Sequence, residues 1–140
     1  MVTVTPVERF KDVYNRLNAQ SLQLLSELYS EQVVFQDPFR RLEGLAAMRC
    51  YCEELYRHTI SSTFRFEDEL VTADGAMLMW TMSLRHPRLQ GGQPIEVPGA
   101  THIRFREKID YHRDYFDGGA LLYEHLPVLG LLVRAVKRRM

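Results

Sequence analysis

The spacing of apolar residues changes once along the chain, near Ser62, and this change restricts the possible folds more than any other feature. Before this point, apolar side chains recur every three or four residues, as on one face of an α-helix. After it, they alternate with polar side chains, as in β-strands. Helices followed by a run of strands predict an α+β fold: a cone in which N-terminal helices pack on a curved, mainly antiparallel sheet, with a mostly apolar pocket between them.

The first helix has a strong start signal. Thr5 can cap it, Pro6 suits its first position, and Glu8 completes a capping box. Its apolar face is formed by Val7, Phe10, Tyr14 and Leu17. Tyr14 is therefore predicted to point inward, where a tyrosine is commonly part of the core with its hydroxyl bound to a neighbouring polar group.

Two more helices and one short strand complete this half of the chain. We predict a second helix over residues 22–29 and a third that follows Gly44 and ends near His58. Between them, residues 33–35 are predicted to form a strand that stops at Asp37, because the proline after it cannot donate to a sheet.

The second half is predicted to be a meander of four strands. Asp74 and Gly75 form a favourable hairpin turn between the first two. A loop over residues 86–94, rich in proline and glycine, leads to the last two, which join tightly around Glu107 and Lys108. The predicted strands cover residues 64–70, 78–84, 95–105 and 109–116.

Composition narrows the classes of function. The chain has 140 residues, about one domain, and its 18 basic residues balance its 18 acidic ones. This balance argues against a nucleic-acid-binding protein, which needs a basic face to neutralise phosphates. No signal peptide and no apolar run of the ~20 residues needed to span a membrane are found. Cys50 and Cys52 are poorly placed to bridge each other, so a reduced, cytoplasmic protein is expected.

The last part of the chain differs from the rest. We predict a single domain over residues 1–127 and a basic amphipathic helix over residues 128–140. The helix ends in basic side chains, namely Arg134, Lys137, Arg138 and Arg139. Such a helix can lie on a membrane surface. It can also cap its own domain or a dimer partner, with its basic end favourably placed at the helix C-terminus.

The tight turn at Glu107 and Lys108 predicts the register of the last two strands. If these two residues form the whole turn, the cross-strand pairs are Thr101 with Asp114, Ile103 with His112, and Phe105 with Asp110. Cross-strand partners share a face of the sheet, so these six side chains are predicted to line one side of it.

This face mixes apolar and ionisable side chains, and burying an ionisable group is costly unless it is paired. In such a pocket, Asp114 could act as a general acid or base. It could equally be paired with an arginine or exposed at the sheet edge. His112, two residues away on the same strand, is expected to be its neighbour rather than its hydrogen-bond partner. Asp37 and Trp80 are ambiguous too, since the first can simply end a strand and the second can be core.

Several segments together resemble one known superfamily. They are Leu28-Tyr29, Val33 to Pro38, Gly44 with the helix after it, Pro98-Gly99, and Ile109 to Asp117. They resemble the nuclear transport factor 2 superfamily, which includes the SnoaL-like polyketide cyclases, ketosteroid isomerase and limonene epoxide hydrolase. The resemblance covers nearly the whole chain. It implies the cone-shaped fold, a site without a cofactor, and a homodimer.

The resemblance also implies roles for individual residues. Tyr14 matches the tyrosine that donates to the oxyanion in ketosteroid isomerase, and Asp37 matches the proton-shuttling aspartate of that enzyme. Thr101 falls where the isomerase has a second, more acidic donor. Asp114 matches the water-activating aspartate of limonene epoxide hydrolase. His112 with Asp114 is similar to the histidine and aspartate of SnoaL-like cyclases.

Three functions stay open at this point. The first is an enzyme of isomerase, cyclase or hydrolase type that acts on a small hydrophobic molecule. In it, Asp37 and Asp114 would transfer protons, with Tyr14 and His112 as further catalytic residues. The substrate would be held by Thr101, Trp80, Met82, Phe64, Phe105 and Ile103.

The second possible function is a module that holds a lipid-like or aromatic ligand without converting it, and the third is a protein-interaction domain. The five histidines do not show the spacing of metal ligands, so no metal is expected. They are His58, His86, His102, His112 and His125.

Overall fold

A computed structural model of the chain describes residues 4–118 and 127–140. In these residues the helices are α1 (Pro6–Arg16), α2 (Leu24–Leu28), α3 (Leu45–Arg57) and α4 (Pro127–Arg138). The strands are β1 (Tyr29–Gln36), β2 (Arg41–Glu43), β3 (Ser61–Val71), β4 (Gly75–Arg85), β5 (Ile95–Phe105) and β6 (Ile109–Phe116), and a short 3₁₀ helix (Gln90–Gly92) precedes β5.

The strands form one six-stranded sheet in the order β2-β1-β6-β5-β4-β3. Every neighbouring pair is antiparallel except β1 and β6, which run parallel. Apolar side chains of α1, α2 and α3 share one core with side chains of the sheet, among them Leu78 and Ile103. The predicted α+β fold is therefore confirmed.

The predicted start of α1 is confirmed at the level of single hydrogen bonds. The hydroxyl of Thr5 accepts from the backbone N–H of Glu8 at 3.1 Å, and the carboxylate of Glu8 accepts from the backbone N–H of Thr5 at 3.1 Å. This capping box satisfies two donors that a helix start leaves unpaired.

The region between α1 and α3 differs from the prediction in two respects. The second helix is shorter than predicted and ends at Leu28, so that Tyr29 is the first residue of β1. In addition, the chain turns back after Asp37 and forms the short strand β2, which the sequence did not indicate. β1 ends at Gln36, one residue before Asp37, as predicted.

The turn between β3 and β4 lies one residue earlier than predicted. The backbone N–H of Thr72 donates to the carbonyl of Gly75 at 2.8 Å, which makes Ala73 and Asp74 the central residues. Gly75 is already in β4, where a β-carbon would lie 3.0 Å from the carbonyl oxygen of Ile103. Glycine is therefore needed here for close strand packing rather than for the turn.

The register of β5 and β6 is confirmed where the site lies and wrong next to the turn. Thr101 pairs with Asp114, and Ile103 pairs with His112, as predicted. Phe105, however, pairs with Ile109, because the register shifts between Arg104 and Phe105. Asp110 is exposed rather than on the inner face.

The C-terminal residues form the helix α4. Its Lys137 binds the carboxylate of Asp117 at 2.9 Å. Leu131, Leu132 and Val136 are largely exposed to solvent. None of the helices within residues 4–118 and 127–140 is long and apolar enough to cross a membrane.

Candidate active site

Asp114 lies on the inner face of β6, where its side chain is 21% exposed. One carboxylate oxygen, Oδ1, accepts a hydrogen bond from the hydroxyl of Thr101 at 2.6 Å. The same oxygen lies 2.7 Å from Nε2 of His112. The expectation that His112 and Asp114 are only neighbours is therefore wrong, because the imidazole ring bridges the gap between two same-face positions of one strand.

Thr101 connects Asp114 to Trp80. The indole Nε1 of Trp80 donates to the hydroxyl oxygen of Thr101 at 2.8 Å. Because this oxygen receives the indole proton, the hydroxyl proton of Thr101 is available for Asp114. Gly99, the cross-strand partner of Trp80, makes this arrangement possible. A β-carbon at Gly99 would lie 2.4 Å from the indole ring, so any larger residue would displace Trp80.

His112 connects Asp114 to two tyrosines. Its Nδ1 lies 2.6 Å from the hydroxyl of Tyr29, and that hydroxyl lies 2.6 Å from the hydroxyl of Tyr14. His112 and Tyr29 are each only 1% exposed. The result is a continuous buried chain of hydrogen bonds that runs from Tyr14 through Tyr29 and His112 to Asp114.

The surroundings of this chain are aromatic. The ring of Phe35 lies 4.9 Å from that of His112, and the ring of Phe10 lies 5.5 Å from it, both measured between centroids. Burial raises the pKa of both tyrosine hydroxyls in the chain, Tyr14 and Tyr29, well above the ordinary value. Both hydroxyls are therefore protonated and able to donate hydrogen bonds across the physiological pH range.

Tyr29 is the member of this chain to which the sequence analysis gave no role. The sequence analysis places it at the end of the second helix, whereas it is the first residue of β1, which is irregular between Tyr29 and Val34. A buried tyrosine needs a partner for its hydroxyl, and this requirement is the signal that could have pointed to it.

Asp37 lies in a different environment, in the turn between β1 and β2, and is 8% exposed. Its Oδ1 accepts from the backbone N–H groups of Phe39 and Arg40 at 2.8 and 3.0 Å. Its Oδ2 accepts from the hydroxyl of Tyr51 at 2.7 Å. Both oxygens are thus engaged by groups close in sequence.

The two acids do not meet through a hydrogen bond within the described part of the chain. The parallel pairing of β1 and β6 ends with Gln36 and Arg113, so Asp37 comes level with Asp114 only beyond the last paired residues. The side chain of Asp37 is instead bonded to α3 through Tyr51. There, the guanidinium of Arg40 lies 4.4 Å from the centroid of the Tyr51 ring and covers this contact from outside.

The predicted substrate-binding residues fall into two groups. Phe64 and Met82 are cross-strand partners, the Phe64 and Trp80 rings are 5.2 Å apart, and Trp80 is linked to Asp114 through Thr101. Ile103 and Phe105 form the second group and are part of the core beneath the helices. Phe105 is four residues from Thr101 along β5, which corresponds to about 13 Å. It therefore packs in the core, away from Asp114.

Two surface cavities are measurable within the described residues, with volumes of about 450 and 360 Å³. Neither is lined by Asp114 or by the other predicted site residues. An apolar pocket at Asp114 stays a prediction. In residues 4–118 and 127–140 no three His, Cys, Asp or Glu side chains are close enough to hold a metal ion. His125 lies outside these residues.

Residues 8–112 match the family model of the SnoaL-like domain. The chain belongs to this family. A search of curated proteins found no match. The matched residues include His112 and end two positions before Asp114. The family match therefore supports the fold, and the roles of His112 and Asp114 depend on the geometry described above.

Solved structures similar to this SnoaL-like chain share its fold at low sequence identity. A candidate isomerase from Rhodopseudomonas palustris has a TM-score of 0.75 and 20% identity, over 86% of this chain and 96% of that one. A protein from Catenulispora acidiphila with a ketosteroid isomerase-like fold, in complex with trimethylamine, has a TM-score of 0.74 and 17% identity, over 90% and 96%. A candidate SnoaL-like polyketide cyclase from Jannaschia has a TM-score of 0.72 and 15% identity, over 87% and 93%.

Proposed function

We propose that this SnoaL-like chain is an acid–base enzyme that transfers a proton on a small hydrophobic molecule, with Asp114 as the proton acceptor and without a cofactor. The observation that carries the proposal is the state of the Asp114 carboxylate. Its Oδ1 holds two hydrogen bonds, from Thr101 and His112, whereas the described residues give Oδ2 no partner. A carboxylate fixed at one oxygen and open at the other is prepared to accept a proton.

The environment of Asp114 supports an apolar substrate. Trp80 is linked to Asp114 through Thr101, which occupies its hydrogen-bonding edge, and Phe64, the cross-strand partner of Met82, packs against the Trp80 ring. The faces of these side chains offer contact area but no hydrogen bonds, which favours a ligand with a largely hydrocarbon surface.

Similar structures suggest which proton is transferred. They include proteins described as a candidate isomerase and as candidate polyketide cyclases. Isomerisation and cyclisation of ketones both begin with removal of a proton from the carbon next to a carbonyl group. This is a step that a carboxylate in an apolar site can perform. We therefore propose enolisable apolar ketones as the substrate class.

Deuterium uptake from heavy water by a panel of cyclic and aromatic ketones, followed by NMR, tests the proposal. The wild-type protein should accelerate exchange for at least one ketone, and Asp114→Asn should reduce this exchange by about 10²–10⁴-fold. Asp110→Asn is the matched control, because Asp110 is an exposed acid on the same strand. Thermal unfolding of each variant shows whether it is folded.

The test also distinguishes the competing roles of the two buried acids. If Asp37→Asn abolishes exchange and Asp114→Asn does not, the proton acceptor is wrongly assigned. If ketones bind but none exchanges faster than in buffer, the chain is a binding module rather than an enzyme.

A further inference from the structure

The hydrogen bonds around His112 determine which protons the ring carries. Both ring nitrogens are engaged: Nδ1 with the hydroxyl of Tyr29 at 2.6 Å and Nε2 with the carboxylate of Asp114 at 2.7 Å. With the ring only 1% exposed, no nitrogen is left for a substrate. His112 therefore acts on Asp114 rather than on the reacting molecule.

Counting donors and acceptors along the chain separates the possible charge states. If Tyr14 donates to Tyr29, Tyr29 can donate to Nδ1 and the Nε2–H group can donate to Asp114. Every proton then has one acceptor. If His112 were a cation, Nδ1–H would donate to Tyr29, and Tyr29 would have to donate to Tyr14. The hydroxyl proton of Tyr14 would then have no acceptor among the described residues, and an unpaired buried donor is unfavourable.

The packing around His112 favours the same state. The rings of Phe10 and Phe35 lie against the imidazole, and among residues 4–118 and 127–140 Asp114 is the one acid bonded to it. A charged ring in these surroundings would have only one carboxylate, itself partly exposed, to compensate the loss of water.

We infer that Tyr29 is a positioning residue: it occupies Nδ1 of His112, so that the neutral ring presents its Nε2–H group to Oδ1 of Asp114 and leaves Oδ2 as the reactive oxygen. The inferred protonation state follows from the hydrogen bonds alone. Only its consequence for the rate of reaction rests on the proposed function.

NMR of the wild-type protein with ¹⁵N-labelled histidine tests the protonation state without a substrate. At neutral pH, Nε2 of His112 should show the resonance of a protonated ring nitrogen and Nδ1 that of a non-protonated, hydrogen-bonded one. The resonances are assigned by their loss in His112→Gln. Two protonated nitrogens, or a proton on Nδ1 alone, would overturn the inference.

Tyr29→Phe tests the role of the hydroxyl, because it removes one oxygen and keeps the ring. The Nδ1 resonance should move to the value of a nitrogen without a hydrogen bond, and the Nε2 proton should exchange faster with water. Tyr56→Phe is the matched control, since Tyr56 packs against the same core but has no part in the chain. An unchanged Nδ1 resonance in folded Tyr29→Phe would refute the positioning role.

Where a ketone is found to exchange, Tyr29→Phe should lower kcat by about 10–100-fold, as loss of an outer hydrogen-bond partner does at other sites, with KM nearly unchanged. If the spectra agree with the inference and no ketone exchanges, only the proposed function fails. If ketones exchange and the spectra disagree, only the positioning role fails.

Discussion

The carboxylates of Asp37 and Asp114 are both largely shielded from water, but their hydrogen bonds are arranged differently. Asp37 is bound by Phe39, Arg40 and Tyr51, all within 14 residues of it in sequence. Asp114 receives its bonds on one oxygen, and the chain behind it reaches back 83 residues from His112 to Tyr29. The comparison teaches that two acids shielded from water can differ in how hydrogen bonds are distributed over their two oxygens, which is the feature on which the proposed role of Asp114 rests.

The largest expected effect on stability belongs to Asp37. Asp37→Ala should lower the free energy of unfolding by about 2–4 kcal/mol, because two backbone N–H groups and the Tyr51 hydroxyl lose their acceptor together. Asp37→Asn keeps an acceptor for the two N–H groups and should cost about 1 kcal/mol or less. Urea unfolding measures both. Equal losses in the two variants would show that the charge, rather than the turn, is what Asp37 contributes.

A smaller effect is expected at Gly99, on the Asp114 side. Gly99→Ala should cost about 1–3 kcal/mol, because the added methyl group collides with the Trp80 indole and forces it away from Thr101. Since Trp80 is the single tryptophan of the chain, its fluorescence should shift with the displacement. Gly91→Ala is a control for the fluorescence only: the position has open space, but its φ of +60° strains an alanine by about 1–2 kcal/mol, and the Trp80 emission should not change. Unchanged fluorescence and stability in Gly99→Ala would contradict the close contact.

The smallest expected effect is that of an aspartate charge on the pKa of a neighbouring buried group. Burial, followed by the charge of Asp114, raises the pKa of the Cys52 thiol to about 12. The folded chain then keeps this proton where the unfolded chain loses it. The contribution of this proton to the free energy of unfolding is fully present below about pH 9. It is lost as the pH rises toward 12, by about 1 kcal/mol per pH unit for this thiol.

Unfolding measurements between pH 9 and 11 check this expectation. Cys52→Ala should flatten the alkaline loss of stability, and Asp114→Asn should reduce it slightly, because the second cause of the shift is removed. Burial, followed by the hydrogen bond to Asp37, raises the pKa of the Tyr51 hydroxyl instead, so Asp37→Asn should affect the slope only above about pH 10, where the unfolded chain begins to lose a tyrosine proton. An equal response to both aspartate variants between about pH 9 and 10 would contradict the separation of the two acids. The tyrosines with raised pKa, Tyr14 and Tyr29, add to the alkaline loss in the same direction.

The sequence predicted the fold and the pairing of Thr101 with Asp114 because both follow from regular repeats: the period of apolar residues and a tight turn. It misplaced Asp110 because a bulge adds one residue to a strand without changing its pattern. It missed the bond between His112 and Asp114 because alternation indicates the face on which a side chain lies, but not the rotamer that brings two same-face side chains together.

Tyr29 escaped prediction for a related reason. It lies where a helix ends and a strand begins, so neither repeat assigned it to a face. The two readings of Asp37, as a reactive acid or as a turn residue, could not be separated either, because its partner Tyr51 lies on a helix whose rotation relative to the turn is a tertiary property.

The parallel pairing of β1 and β6 has a consequence for how the protein folds. One edge of β1 stays unpaired until β6, which is far away in sequence, joins the sheet. Closing such a long loop is slow compared with forming a local hairpin, because the intervening segment loses conformational entropy before the contact is made. The link between Tyr29 and His112 can therefore form only once nearly all of the sheet has been synthesised and assembled, so a chain truncated before β6 would lack this hydrogen-bond chain.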